Sequence, residues 1–144
     1  MCSSCYFIIH LSNNSVRKTQ LHIGQLACDL LVLHAASGCD TTSYVYGIGK
    51  ATAVKLFCSV PEMSCIAKIF MDANASRDQV ISAGNRLLLQ FYHTDTDISL
   101  DKLRYIRFAR KAAPSVSSIE PKTLPPTSAV ATHHSDRIYH QLQA

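Results

Sequence analysis

The sequence predicts a mainly α-helical protein. Apolar residues recur at helical spacing in several stretches, helix-capping residues precede some of them, and the one short β-type run lies near the N-terminus. The 144 residues are 47% hydrophobic and 17% charged, a balance typical of a globular chain. The net charge of +4 is compatible with a nucleic-acid partner but does not identify one.

The N-terminal segment carries a possible short strand. Residues 6–9 read Tyr-Phe-Ile-Ile, a β-type run that the turn-forming residues 12–15 close. A strand without partners is not stable, so we expect this end to be truncated relative to a complete domain.

The first two helices flank a loop. Residues 21–36 are apolar on nearly all sides, which indicates a buried helix that Gly38 ends. We expect His34, on this helix, to be a hydrogen-bonded core residue. A loop follows over residues 40–47, and a second helix is predicted from about residue 49 to 58.

Three further helices follow. Pro61 suits the first turn of a third helix, and Ser76 with Gln79 forms a capping-box pattern before a fourth. Ser99 is expected to cap a fifth helix that ends near Lys111. The apolar stripe predicted for the fourth helix consists of Val80, Ala83, Leu87, Leu88 and Phe91.

The C-terminal part is predicted to differ from the rest. Residues 114–127 contain four prolines and several serines, which favours an extended linker, and residues 128–142 can form an amphipathic helix. The chain therefore divides into a partial domain over 1–112, a linker over 113–127 and a C-terminal helix over 128–144.

The functional signal lies between residues 38 and 57. Gly47 and Gly49 allow backbone N–H groups to approach a ligand, and the helix N-terminus that follows attracts phosphate. Lys50 and Lys55 add mobile positive charge, which favours a nucleic-acid backbone over an isolated anion. The predicted DNA-binding residues are Gly47, Ile48, Gly49, Lys50 and Lys55.

This segment resembles the flap-endonuclease family of PIN-like nucleases. Its members carry Gly-(Ser/Cys)-Asp-Tyr, then Gly-Ile-Gly, then an alanine four residues after the last glycine. Thr41 departs from this pattern, because the nucleases usually have tyrosine there. The residues that match in register are Gly38, Cys39, Asp40, Gly47, Ile48, Gly49 and Ala53.

A narrower resemblance covers more of the chain. Residues 34–43 (HAASGCDTTS), 103–105 (LRY) and 124–127 (LPPT) are similar to uncharacterised, often transposon-associated animal proteins of the same superfamily. The resemblance implies the C-terminal helical part of a PIN-like α/β nuclease domain, with a helix-two-turn-helix-type motif.

The resemblance also implies site chemistry. Asp40 would be a carboxylate of a Mg²⁺ site, and residues 47–49 would hold a monovalent cation and a DNA phosphate. Two-metal cleavage needs several carboxylates, yet Asp29 is the single acidic residue before Asp40. We therefore expect a truncated domain that binds the DNA backbone without sequence specificity and is catalytically inactive alone.

Two alternatives stay open. The chain would belong to a metal-dependent, structure-selective nuclease if a longer product or a partner chain supplied the missing carboxylates. It would be a protein-interaction remnant if the apolar face left by a missing sheet bound another protein.

The cysteines predict the compartment. Cys28 and Cys58 lie in apolar helical patterns, where free cysteine behaves as a small buried hydrophobe. Without a secretory signal, this indicates a reducing, intracellular compartment, with the nucleus as a candidate location. Cys2 and Cys5 have Cys-x-x-Cys spacing but no second pair, so a zinc or redox site is not favoured. No apolar stretch approaches the roughly 20 residues that span a bilayer.

The remaining charged and histidine clusters are expected to face solvent. Asp95 and Asp97 precede the cap of the fifth helix, where acidic residues are favourable. A polar helix face is expected to contain His133, His134 and His140. A solvated basic face of the fifth helix is expected to contain Lys102, Arg104, Arg107, Arg110 and Lys111.

Overall fold

The computed structural model describes residues 29–40, 42–94, 97–113 and 118–144, and this part of the chain is mainly helical, as predicted. Its helices are α1 (residues 29–36), α2 (Lys50–Ser59), α3 (Glu62–Met71), α4 (Arg77–Phe91), α5 (Leu100–Ala112), a 3-10 helix (Pro121–Thr123) and α6 (Ser128–Gln143). The helix limits predicted from residue 49 onward agree with these to within one residue. The expected strand at residues 6–9, residues 21–28 of the predicted first helix, Thr41 and Asp95 lie outside the described residues.

α4 lies at the centre of the core. It packs against both α3 and α6, which also contact each other. The predicted stripe of α4 is confirmed, because all five of its side chains are almost fully buried. Phe70 of α3 and Ile138 of α6 are completely buried against the same cluster.

The close approach of α4 and α6 requires a glycine. A Cβ atom on Gly84 would lie 1.8 Å from Oγ and 2.7 Å from Cβ of Ser135. Ser135 is fully buried, and its hydroxyl donates to the carbonyl oxygen of Ala131 at 2.8 Å. The two helices can therefore pack at this distance only without a side chain at position 84.

The expected helix caps are present. The Ser76 side chain accepts from the N–H of Gln79, whose own side chain accepts from the Ser76 N–H, so the capping box is confirmed. Ser99 caps α5 with a single bond, in which its side chain accepts from the N–H of Lys102. Asp101 reaches from α5 to α6, where it accepts from the backbone N–H and the hydroxyl of Ser128, and these bonds lower the pKa of Asp101.

Residues 118–127, the described part of the segment before α6, include a 3-10 helix and buried side chains, whereas we expected an extended linker over 113–127. Residues 121–123 form the 3-10 helix, and the side chains of Leu124 and Pro125 are buried. Lys111 donates to the hydroxyl of Thr123 at 2.8 Å. The burial of apolar side chains thus stabilises a folded conformation in a proline-rich stretch that would otherwise favour an extended one.

The basic face of α5 is also only partly solvated. Arg104 donates to the carbonyl oxygen of Pro125, and Arg107 donates to that of Tyr92 at 3.0 Å. Lys102 and Arg110 are exposed, as expected. Three of the five basic residues, counting Lys111, therefore bond to neighbouring backbone. Among the described residues, none of the helices has the length and apolar character that a membrane-spanning helix needs.

Candidate nucleic-acid interface

α1 ends at the glycine that the sequence predicted. Gly38 has φ +99°, a conformation that favours glycine, and its N–H donates to the carbonyl oxygen of Ala35 at 3.3 Å. A Cβ atom at this position would lie 2.6 Å from Cα of Tyr44. The chain therefore passes so close to itself here that a side chain is excluded.

The side chain of Thr42 stabilises the loop after α1 through hydrogen bonds to its backbone. Its hydroxyl donates to the carbonyl oxygen of Ala35 at 2.6 Å and lies 3.1 Å from the backbone nitrogen of Cys39, from which it accepts. Cys39 and Thr42 also exchange two backbone hydrogen bonds of 3.2 Å. Thr42 is buried, so these bonds satisfy polar groups that water cannot reach.

Lys50 fastens the start of α2 to the end of α1. Its ammonium group donates to the carbonyl oxygens of His34 (2.8 Å) and Gly38 (2.6 Å) and to the hydroxyl of Ser37 (2.9 Å). These bonds use all three ammonium protons and place a positive charge at the negative end of the α1 dipole. Lys50 is thus a fixed charge beside the turn, whereas we had expected a mobile one.

The glycine turn itself is open. Gly47 has φ +79°, and Cβ atoms built on Gly47 or Gly49 would meet nothing within 4 Å. Ile48 between them is buried and anchors the turn, and its N–H donates to the carbonyl oxygen of Val45 at 3.0 Å. Lys55 is exposed further along α2. The structure thus places residues 47–50 at one accessible helix N-terminus and Lys55 in the second turn of the same helix.

The N-terminus of α2 differs from the other α-helix starts that the structure describes in full. α4, α5 and α6 begin with a side-chain cap, and α3, α4 and α5 carry an acidic residue in the first turn. α2 has Gly49 as its N-cap, with neither a side-chain cap nor an acidic residue. Its first N–H groups and the positive end of its dipole are therefore neither bonded by a cap nor neutralised by a carboxylate.

Asp40 lies exposed in the loop between the two helices. In the described ranges, no group of three or more His, Cys, Asp or Glu side chains is placed to hold a metal ion. A hard Mg²⁺ ion needs several oxygen ligands, which a single carboxylate does not supply. Asp29 lies elsewhere, on α1, where it accepts from the Ser64 hydroxyl of α3 at 2.9 Å. The Mg²⁺ role of Asp40 and the monovalent cation at residues 47–49 stay predictions.

Two histidines are placed opposite to expectation. His34, which we expected in the core, is exposed, because it lies on the solvent side of α1. His134, which we expected on a polar face, is buried, and its Nε2 lies 3.1 Å from the carbonyl oxygen of Ala36. Since a carbonyl only accepts, Nε2–H donates, and burial lowers the pKa of His134. His133 and His140 are exposed, as expected.

The expectation of a free thiol is wrong for Cys58, which is disulfide-bonded. The other described cysteines, Cys39 and Cys65, are not disulfide-bonded. A disulfide at Cys58 does not favour a reducing compartment, because disulfides persist in oxidising surroundings. Cys2, Cys5 and Cys28 lie outside the described residues.

Sequence reasoning overlooked a long-range contact that shapes this region. Arg137 of α6 donates to the hydroxyl of Ser43 at 2.8 Å, and so joins the C-terminal helix to the loop. Tyr44 and Tyr46, which follow Ser43, are both exposed. Isolated tyrosines and one arginine on a distant helix carry no local pattern that would have revealed this.

Comparisons of the chain with protein-family models, curated proteins and solved structures find no match. The resemblance to the flap endonucleases therefore rests on the residues quoted for it.

Proposed function

We propose that this chain binds the phosphate backbone of DNA without sequence specificity, as the helical part of a flap-endonuclease-like domain. The observation that carries this proposal is the N-terminus of α2, which is exposed, uncapped and free of acidic residues. Backbone N–H groups that converge at a helix N-terminus bind phosphate oxygens because they donate hydrogen bonds and lie at the positive end of the dipole.

The glycines give the phosphate room. With no side chain at position 47 or 49 and open space around both, a phosphate can reach the N–H groups of the first turn directly. Such contacts read no base, so they predict binding that is independent of sequence.

The two lysines have different parts in this proposal. Lys55 lies about 7.5 Å along the helix axis from Lys50 and is exposed, so it can contact a neighbouring stretch of the backbone. Lys50 is fixed by its three hydrogen bonds and holds the turn in place, while its charge still adds to the local positive field.

Salt-dependent DNA binding tests the proposal. Fluorescence anisotropy with a labelled duplex should show affinity that falls steeply between about 20 and 200 mM salt, because phosphate contacts release counterions. Lys55→Ala should lower the slope of log affinity against log salt by about one. Lys68→Ala, at an exposed lysine of α3, is the matched control and should leave the slope unchanged.

Two results would overturn the proposal. One is the absence of duplex affinity at the lowest salt concentration. The other is an equal loss of affinity in the Lys55 and Lys68 variants, which would assign the binding to net charge alone. Cleavage is a separate hypothesis: it predicts Mg²⁺-dependent cutting of flap DNA that Asp40→Ala abolishes.

A further inference from the structure

A cleft of about 380 Å³ lies next to the loop between α1 and α2. Its walls come from loop residues 43–46, from α4, α5 and α6, and from residues 121–127. No residue of the 47–55 segment lines it, so the cleft is separate from the glycine turn. The side chains that give it chemical character are Tyr44, Tyr46, Tyr92, Arg104, Lys122 and Arg137.

The cleft carries excess positive charge. Its lining includes three basic side chains and, within the described part of the chain, no Asp or Glu. Lys122 is paired with Glu120 at 3.1 Å, but the hydrogen bonds of Arg104 and Arg137 go to neutral oxygens, those of Pro125 and Ser43. In the described part of the chain neither guanidinium group forms a salt bridge. The electrostatic interaction of Arg104 with Asp101 on the same helix offsets part of its charge, so Arg137 contributes more of the positive charge that suits an anion.

The rim of the cleft is aromatic and exposed. Tyr44 is 70% and Tyr46 44% exposed, and Val130 of α6 is also exposed. These are three of the six large apolar or aromatic side chains that are exposed among the described residues, and all three line this one cleft. Such a concentration of exposed apolar surface is typical of a binding site rather than of scattered surface residues.

We propose that this cleft binds a nucleoside phosphate, with the base against Tyr44 and Tyr46 and the phosphate near Arg137 and Arg104. A flat ring gains by stacking on tyrosine, and guanidinium groups bind phosphate oxygens in pairs. The volume lies at the lower end of the range of small-molecule sites and suits one nucleotide. The same chemistry is offered by a free mononucleotide and by one nucleotide of a single strand.

Calorimetric titration of the whole chain tests this site with three probes: adenosine monophosphate, inorganic phosphate and a short oligothymidylate. The mononucleotide should bind at least about tenfold more tightly than inorganic phosphate, because the base adds stacking. Tighter binding of the strand than of the mononucleotide identifies a single strand as the source, and equal binding identifies a free nucleotide.

Matched tyrosine variants show where the base lies. Tyr44→Ala should weaken mononucleotide binding about tenfold, since the ring that stacks is lost. Tyr105 of α5 is as exposed as Tyr44 (71% against 70%) but lies outside the cleft, so Tyr105→Ala should change nothing. Arg137→Gln, which can still donate to Ser43, should weaken binding of both the mononucleotide and phosphate.

The outcomes separate this site from the turn. Lys55→Ala should weaken duplex binding and leave mononucleotide binding unchanged, so either site can fail without the other. The proposal is overturned if the mononucleotide does not bind, if it binds no better than inorganic phosphate, or if Tyr44→Ala and Tyr105→Ala have the same effect.

Discussion

The two halves of the loop between α1 and α2 are built in opposite ways. In the described part of residues 37–43, side chains form hydrogen bonds with polar groups of the loop and its flanking helices. The hydroxyl of Thr42 bonds to backbone groups of Ala35 and Cys39, and the hydroxyl of Ser37 accepts from Lys50. In residues 44–49, two buried side chains, Val45 and Ile48, hold the chain, while tyrosines and glycines face outward. The first half of the loop is thus stabilised by internal hydrogen bonds, and the second half exposes side chains and backbone to solvent.

The largest expected difference between the halves concerns their glycines. Gly38→Ala should lower the free energy of unfolding by about 3 kcal/mol, because its Cβ would meet Cα of Tyr44 at 2.6 Å and φ is positive. The Cβ of Gly47→Ala would lie in open space, so this variant should lower the free energy of unfolding by only about 1 kcal/mol, because of its positive φ angle alone. Urea unfolding measures both, and equal costs would contradict the distinction.

The next largest effect concerns the buried hydroxyl. Thr42→Val removes the two hydrogen bonds of the hydroxyl, to the carbonyl of Ala35 and from the N–H of Cys39, although each of these groups keeps one backbone partner. We expect the free energy of unfolding to fall by about 2 kcal/mol, about 1 for each lost bond. Ser43→Ala removes an exposed hydroxyl that accepts from Arg137 and should cost about 0.5 kcal/mol. A tolerated Thr42→Val would mean that water enters this half of the loop.

The two lysines of α2 should also differ in their effect on stability. Lys50→Met retains the apolar stem but removes the three hydrogen bonds to the end of α1, and should cost about 1 kcal/mol. Lys55→Met should stay within about 0.5 kcal/mol, as surface changes usually do. Thermal unfolding of both variants would refute a fastening role for Lys50 if their stabilities were the same.

The smallest expected effect is a pH dependence. Burial holds the pKa of His134 below its ordinary value near 6.5, so the unfolded chain takes up a proton there that the folded chain does not. This contribution to stability is fully present above about pH 6.5 and is lost as the pH falls from there through the folded pKa. The pKa values of Asp101 and Asp136 are lowered from 3.8, so their contributions to stability change only in more acidic solution.

Unfolding curves measured between about pH 7.5 and 5 check this. The wild type should lose stability across the window, and His134→Gln should lose less, because Gln can donate to Ala36 without titrating. Identical pH profiles would show that His134 takes up its proton as readily in the folded chain as in the unfolded one.

The helices and most of their caps could be predicted because they depend on neighbours in sequence. The box formed by Ser76 and Gln79 spans four residues, and the stripe of α4 repeats every three to four. The end of α1 at Gly38 was equally predictable, because helices commonly end at a glycine with a positive φ angle.

What could not be predicted depends on distant contacts. Arg137 meets Ser43 across 94 positions, and His134 meets Ala36 across 98. α1 is apolar on nearly all sides, so its pattern did not show which side faces the core, and His34 was assigned to the wrong one. The role of Lys50 was missed for a related reason, since a basic residue next to a glycine turn fits a ligand site as well as a helix end.

If DNA phosphate binds the uncapped start of α2, an acidic cap on that helix should block the binding, and Gly49→Asp introduces such a cap. Gly49 has φ −82° and ψ 167°, which suit an aspartate cap, so the variant should be more stable by about 0.5 kcal/mol. Its carboxylate would occupy the free N–H groups and repel phosphate, and duplex affinity at low salt should fall about tenfold. Gly49→Asn, which caps without charge, should have a duplex affinity between those of the wild type and the Gly49→Asp variant. A folded Gly49→Asp protein that binds duplex DNA as tightly as the wild type would contradict the account.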